Sequence, residues 1–243
     1  MKRIAIFVEG QAEQIFIRHL LPTILDWSKF SFTCVKLYAN QMQEVPHSYN
    51  VGQSHVEVHF LIVNAANDTK VLSAIKEREQ HLFAKGYDEV FGLRDMYSNE
   101  FCKYSNSIQN DVINKFINGA RHSISLMSCP DKIHFHFAIM ELEAWFLGMY
   151  NLFRKINSVL DTHYIEENVG YNLSEIDPQT QFFKPTTELD RILRLAGLGY
   201  QKHSHEVNSI LSKMDKIDCE SVMENGRCQS FNNFYLELQS IFE

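Results

Sequence analysis

A chain of 243 residues suffices for one large domain, or one core with an appended subdomain, and excludes an elaborate multidomain machine. Its 45% hydrophobic and 12% aromatic content supports a full core and excludes global disorder; 10 Gly and 5 Pro exclude low-complexity sequence. Twenty-three Lys and Arg against thirty Asp and Glu give −7, which excludes a basic coat but not a local positive patch or a metal-bridged phosphate site.

The amino terminus, MKRIAIFVEG, carries two positive charges but too short an apolar run for a signal-peptide core. No apolar run approaches membrane-spanning length. The five cysteines are scattered, with no C-x-x-C pair, which fits reduced thiols in a cytoplasmic protein.

Arg3–Val8 is nearly all apolar, the pattern of a strand buried on both faces, and Glu9–Gly10 end it. From Gln11 the period becomes helical, with Ala12, Phe16, Leu20 and Ile24 on one face. Phe30–Ala39 and His55–Val63 read as strands, separated by a polar loop or hairpin excursion. Asp68–Phe83 reads as an amphipathic helix with Asp68 as its N-cap. Glu89–Leu93 is a short strand leading into Arg94–Tyr97; Ile108–Ile117 is helical, and Lys132–Met140 is a strand followed by a helical Glu141–Tyr150. This alternation predicts an α/β domain over residues 1–150, with a mainly parallel sheet flanked by helices. Beyond it the pattern is helical: Leu152–Val159, Thr187–Ala196, His205–Met214, Cys219–Asn225 and Phe231–Ile241, read as an extension over 151–243 packed on the sheet domain.

Three predicted strands deliver an acid at their carboxyl ends: Glu9, Asp95 and Glu141, with Glu13 and Glu143 within about one helical turn of the first and third. In open α/β sheets this edge is where ligands bind. If the strands are neighbours, the carboxylates cluster, and such a cluster either binds a cation or raises a pKa. Hard oxygen ligands suit Mg2+ or Mn2+, and phosphoryl transfer is the chemistry such an ion assists. The plainer alternative stands beside it: an acid after a strand is often a cap that complements the helix dipole.

IAIFVEGQAEQIFIRHLL resembles the first motif of TOPRIM domains: an apolar strand, Val-Glu-Gly, then a second Glu four residues after the first. TOPRIM domains occur in topoisomerases, bacterial primases and overcoming-lysogenization-defect nucleases. The resemblance implies a TOPRIM-like fold, with Glu9 as a catalytic residue or metal ligand and an Asp-x-Asp motif supplying further ligands. GLRDMYS fills that place, so Asp95 matches the first aspartate while Tyr97 stands in the position of the second. The ordered set VEGQAEQIF, LRDMYS, IMELEAWFL and SFNNFYLEL is similar to a prokaryotic TOPRIM-like family of unknown function that also has Asp-x-Tyr and a Glu-x-Glu motif. The match covers most of the chain.

What this implies is a Mg2+- or Mn2+-dependent nuclease acting on nucleic-acid phosphodiesters. Glu9, Asp95 and Glu141 would be the catalytic carboxylates, and Glu13 and Glu143 further metal ligands. Gly10 would let backbone N–H groups approach a phosphate. Stand-alone TOPRIM proteins often neighbour ATPases in bacterial defence modules, which implies an ATPase partner. Tyr97 in a ligand position favours a second hypothesis, a non-catalytic scaffold binding a partner protein or nucleic acid. A small phosphoester hydrolase is a third.

Other motifs are weaker. His55, Glu57 and His59 alternate with Val56, Val58 and Phe60, so a zinc face competes with a solvated strand face, and the alternation favours the latter. His134 and His136 alternate in the same way, and His203 and His205 read as exposed. Trp145–Leu147 reads as core rather than a base-stacking platform; Arg191, Arg194 and Lys202 read as a solvated face before a phosphate-contacting one. Neither G-x-x-x-x-G-K-[ST] nor G-x-G-x-x-G occurs.

Overall fold

The computed structural model describes residues 1–39, 41–67, 70–224 and 226–242. Among them six strands form one sheet in the order β3-β2-β4-β1-β5-β6: β1 (Lys2–Val8), β2 (Phe30–Tyr38), β3 (Gln41–Glu44), β4 (Val58–Asn64), β5 (Glu89–Asp95) and β6 (Ile133–Ala138). The three acid-bearing strands β1, β5 and β6 are therefore consecutive in the sheet. The chain divides into two compact units, one of residues 1–94 and 114–137, the other of 95–113 and 138–243.

The first unit is built on β1, whose Ile4–Val8 run is fully buried, as its continuous apolar pattern demands. It pairs in parallel with β4 on one side and β5 on the other, Val8 standing opposite Asn64 and Leu93. Parallel β2 and antiparallel β3 complete that flank. The polar stretch after Phe30–Ala39 thus supplies a hairpin strand, exposed along its whole length. The helix α1 (Gln11–Ile24) buries Ile15, Phe16, Leu20 and Leu21, and its Gln14 amide donates to the carbonyls of Val35 and Ile62, each at 3.0 Å. The helix α2 (Val71–Ala84) buries Val71, Ala74, Ile75 and Leu82; the expected N-cap Asp68 lies outside the described residues. Gly92 of β5 is a required glycine, because an added Cβ would lie 2.4 Å from Phe135 and 2.9 Å from Ile75. The helix α3 (Asn110–Ser125) runs two turns beyond the expected end at Ile117, across the junction of the units.

The second unit is helical, as the pattern after residue 150 predicts: α4 (Glu143–Gly148), α5 (Leu152–Ile156), α6 (Thr162–Val169), α7 (Pro178–Gln181), α8 (Pro185–Arg194), α9 (Ser204–Leu211), α10 (Lys216–Glu224) and α11 (Gln229–Ser240). Two of these, α6 and α7, lie outside the helices expected from the sequence. Their ends are set by caps: Asp161 accepts from the Tyr164 N–H at 2.8 Å and Asp177 from the Gln179 N–H at 3.1 Å, while Gly170 stops α6 at φ +84°. The helix α4 is buried on every side, and the Trp145 indole N–H donates to Ser230 at 2.8 Å between the rings of Phe231 and Phe234. Trp145, Phe146 and Leu147 are therefore core, as read from the sequence. Among the described residues no helix is long and apolar enough to cross a membrane.

Candidate functional site

The acids expected at the strand ends fall in both units. In the first, Glu9 follows β1 and is half-buried. Glu13 is buried at the third position of α1 and accepts the Gly10 N–H at 2.8 Å, the glutamate half of a capping arrangement. That bond occupies the N–H of Gly10 itself. Gly10 itself is extended, at φ −147°, a conformation open to any residue; a Cβ there would lie 3.1 Å from the Glu13 carboxylate.

The second unit brings Asp95, Glu141 and Glu143 together. Asp95 closes β5, and the chain keeps pairing past it, the Met96 N–H donating to the Ala138 carbonyl and the Tyr97 N–H to Met140. Met140 takes a left-handed backbone, φ +64°, and this turn carries the chain from β6 into Glu141 and α4. Asp95 Oδ1 accepts the Leu142 N–H at 2.8 Å, Glu141 Oε2 the Thr186 N–H at 2.9 Å, and Glu143 Oε1 the Tyr200 hydroxyl at 2.6 Å. Each carboxylate is thereby oriented by one donor, and all three are buried, Glu143 completely.

Their other oxygens converge on the ammonium of Lys202, at 2.8 Å from Glu143 Oε2, 3.3 Å from Glu141 Oε1 and 3.6 Å from Asp95 Oδ2. Burial works against the charge on Lys202, but Glu143, Asp95 and Glu141 outweigh it and hold the ammonium well above the ordinary lysine range. Lys202 has φ +60° and Met140 φ +64°, so two non-glycine residues in the left-handed region flank the cluster. Such conformations cost on the order of 1 kcal/mol each and persist where the surroundings over-determine them. The cluster fits that description.

Tyr97 sits at the edge of this region, its ring edge-on to Phe183 and beneath the Lys184 ammonium at 5.9 Å. Burial, and then the Cys102 side chain, raise its pKa. Cys102, Lys184 and Phe183 are its neighbours.

Lys202 and Tyr200 were not legible as members of the site. They lie in the loop GLGYQKHSH between α8 and α9, where no spacing ties them to the acids. Lys202 was grouped with Arg191 and Arg194, but those two pair with Glu188 and Asp190 on α8 at the surface. His203 and His205 are exposed, as expected. His59 turns its ring to the Ser31 hydroxyl at 2.8 Å, and burial lowers its pKa. His134 meets Glu89 at 3.1 Å and stacks on Phe91.

Among the described residues no group of three or more His, Cys, Asp and Glu side chains stands ready to hold a metal ion. In the comparison with protein families, the model described as "Domain of unknown function (DUF4276)" matches residues 8–239. Neither a curated protein nor a solved structure matches the chain.

Proposed function

The chain belongs to the DUF4276 family, and from its carboxylate cluster we propose a divalent-cation-dependent phosphodiester hydrolase of TOPRIM type, acting on nucleic acid. One observation carries the reading: Asp95, Glu141 and Glu143, from two successive strand ends and the helix after them, aim oxygens at one point within 3.6 Å of each. Lys202 Nζ holds that point.

The donor set is of the kind that suits Mg2+ or Mn2+: hard carboxylate oxygens, each oriented by a second hydrogen bond, turned toward the place the Lys202 ammonium now holds, so that an ion would have to displace the ammonium and draw the carboxylates inward. Asp95, Glu141 and Glu143 would hold the ion. The bound ion would offset charge on the phosphodiester and lower the pKa of the attacking water. Tyr200 and the N–H groups of Thr186 and Leu142 keep the carboxylates in place, and the ammonium of Lys202 can move toward a non-bridging phosphate oxygen. Glu13 serves the reading through α1, whose first turn it closes beside Glu9.

The resemblance to TOPRIM proteins of defence modules supports an ATPase partner, which would supply a nucleotide-dependent step. A second reading is favoured by one specific feature: the ammonium of Lys202 already stands among the carboxylates, as it would in a scaffold that has exchanged a metal for a fixed cation. Calorimetric titration with Mn2+ and Mg2+, run beside plasmid and RNA cleavage, separates the two. The hydrolase requires ion binding that is lost in Glu141→Gln and Asp95→Asn, together with cleavage. An intact, folded protein that binds neither ion and cleaves neither polymer is the scaffold.

A further inference from the structure

The first unit contains a second site of opposite character. A cavity of about 380 Å3 lies between the start of β1, β3, β4 and the last turns of α2. Arg3, Arg78, His81 and Lys85 line it, with Leu61 and Leu82 among its apolar walls, and no carboxylate belongs to the lining. In a chain of net charge −7, Arg3, Arg78 and Lys85 around one cavity, with Glu77 paired to Arg78 from outside the lining, depart from the overall composition.

The cations are also positioned. The Arg3 guanidinium lies over the Tyr87 ring at 4.3 Å and donates to the Lys85 carbonyl at 2.6 Å, which fixes its plane against the cavity wall. Its backbone N–H is bound by Asp88 at 2.8 Å. Arg78 is tied to the Ala74 carbonyl at 3.3 Å and to Glu77 at 2.9 Å, so it too is held along α2. Positions 78, 81, 82 and 85 fall at helical spacing of three and four, which gives α2 and the residue after it one basic and apolar face.

We infer that this cavity binds a phosphate monoester carried on a compact apolar body of mononucleotide size. Its volume falls in the range of small-ligand sites, and its walls are mainly apolar, with Arg3, Arg78 and Lys85 among the residues that supply charge for the phosphate. Arginine and lysine supply the charge-assisted bonds that a dianionic phosphate needs. The carboxylate cluster has the reverse polarity and reaches phosphate only through a cation, so the two sites are separable by chelation.

The experiment is calorimetric titration of the full chain, with EDTA present, using adenosine 5′-monophosphate, adenosine, inorganic phosphate and a 5′-phosphorylated oligonucleotide. The expected result is saturable binding of the nucleotide, at least about tenfold tighter than adenosine or phosphate, and about tenfold weaker in Arg78→Ala and in Lys85→Ala. Backbone amide shifts of the wild-type protein should move at Arg3, Arg78, His81 and Lys85, which tests the location even if a variant fails to fold. Three results would each overturn the inference: no nucleotide binding, equal binding of inorganic phosphate, or unchanged affinity in both folded variants. Binding of the oligonucleotide without the mononucleotide would assign the cavity to a polymer end and overturn it as well.

Discussion

Lys202 Nζ stands 2.8 Å from Glu143 Oε2, and that carboxylate has no solvent exposure. The pair joins a left-handed loop residue to the first turn of a fully buried helix. A buried carboxylate without a cation is strongly destabilising, so this contact binds the loop after α8 to the core of its unit.

Lys202→Met removes the only cation paired with these three acids in the described ion pairs. Unfolding in urea at neutral pH should show a loss of about 3 kcal/mol, within the range for breaking a buried pair. Added Mn2+ should recover part of it if the carboxylates hold an ion, and none if they do not.

Tyr200→Phe tests the orienting bond. The phenol donates to Glu143 at 2.6 Å, and removing a bond to a buried charged acceptor costs about 1.5–3 kcal/mol. The same denaturation measurement reads it. A change below about 0.5 kcal/mol would mean that another donor takes its place.

Gly92→Ala places a methyl group 2.4 Å from the Phe135 ring. Overpacking of this kind costs about 1–3 kcal/mol and should lower the thermal midpoint without changing the fold seen by far-ultraviolet circular dichroism. Gly92 and Phe135 both lie in the first unit.

Cys34 predicts a pH effect. Burial pushes its thiol up to about 11 from an ordinary 9.0, with Arg18 opposing. Because the folded value is the higher one, its contribution to stability is complete below about pH 9 and is lost as pH rises toward 11. Urea midpoints across that interval should fall less steeply in Cys34→Ala than in the wild type. The native thiol should also react slowly with alkylating reagents at pH 8, because the thiolate is the nucleophile.

Five of the six strands, most of the helices and the acids at the ends of β1, β5 and β6 were legible in the residue order alone, while β3 lies in the stretch read as a loop or hairpin excursion. The reason is local: β1 is continuously apolar, α8 and α11 carry helical periodicity, and an acid next to an apolar run marks a strand end whatever surrounds it. Helices α6 and α7, of 8 and 4 residues, were not expected; each is short, and Asp161 and Asp177 cap their starts.

Tertiary structure alone decided what the acids do. Glu13 and Glu143 both follow strand ends within a turn, yet one caps its own helix while the other lies fully buried against Tyr200 and Lys202. Lys202 lies 59 positions beyond Glu143 in a loop with no regular period, so its place among the carboxylates follows from chain packing and not from any spacing. The basic cavity arises in the same way, since its residues come from β1, β3, β4 and α2 and meet only when those elements assemble. Periodicity encodes which face of an element is buried; which charges share that burial depends on the partners the fold supplies.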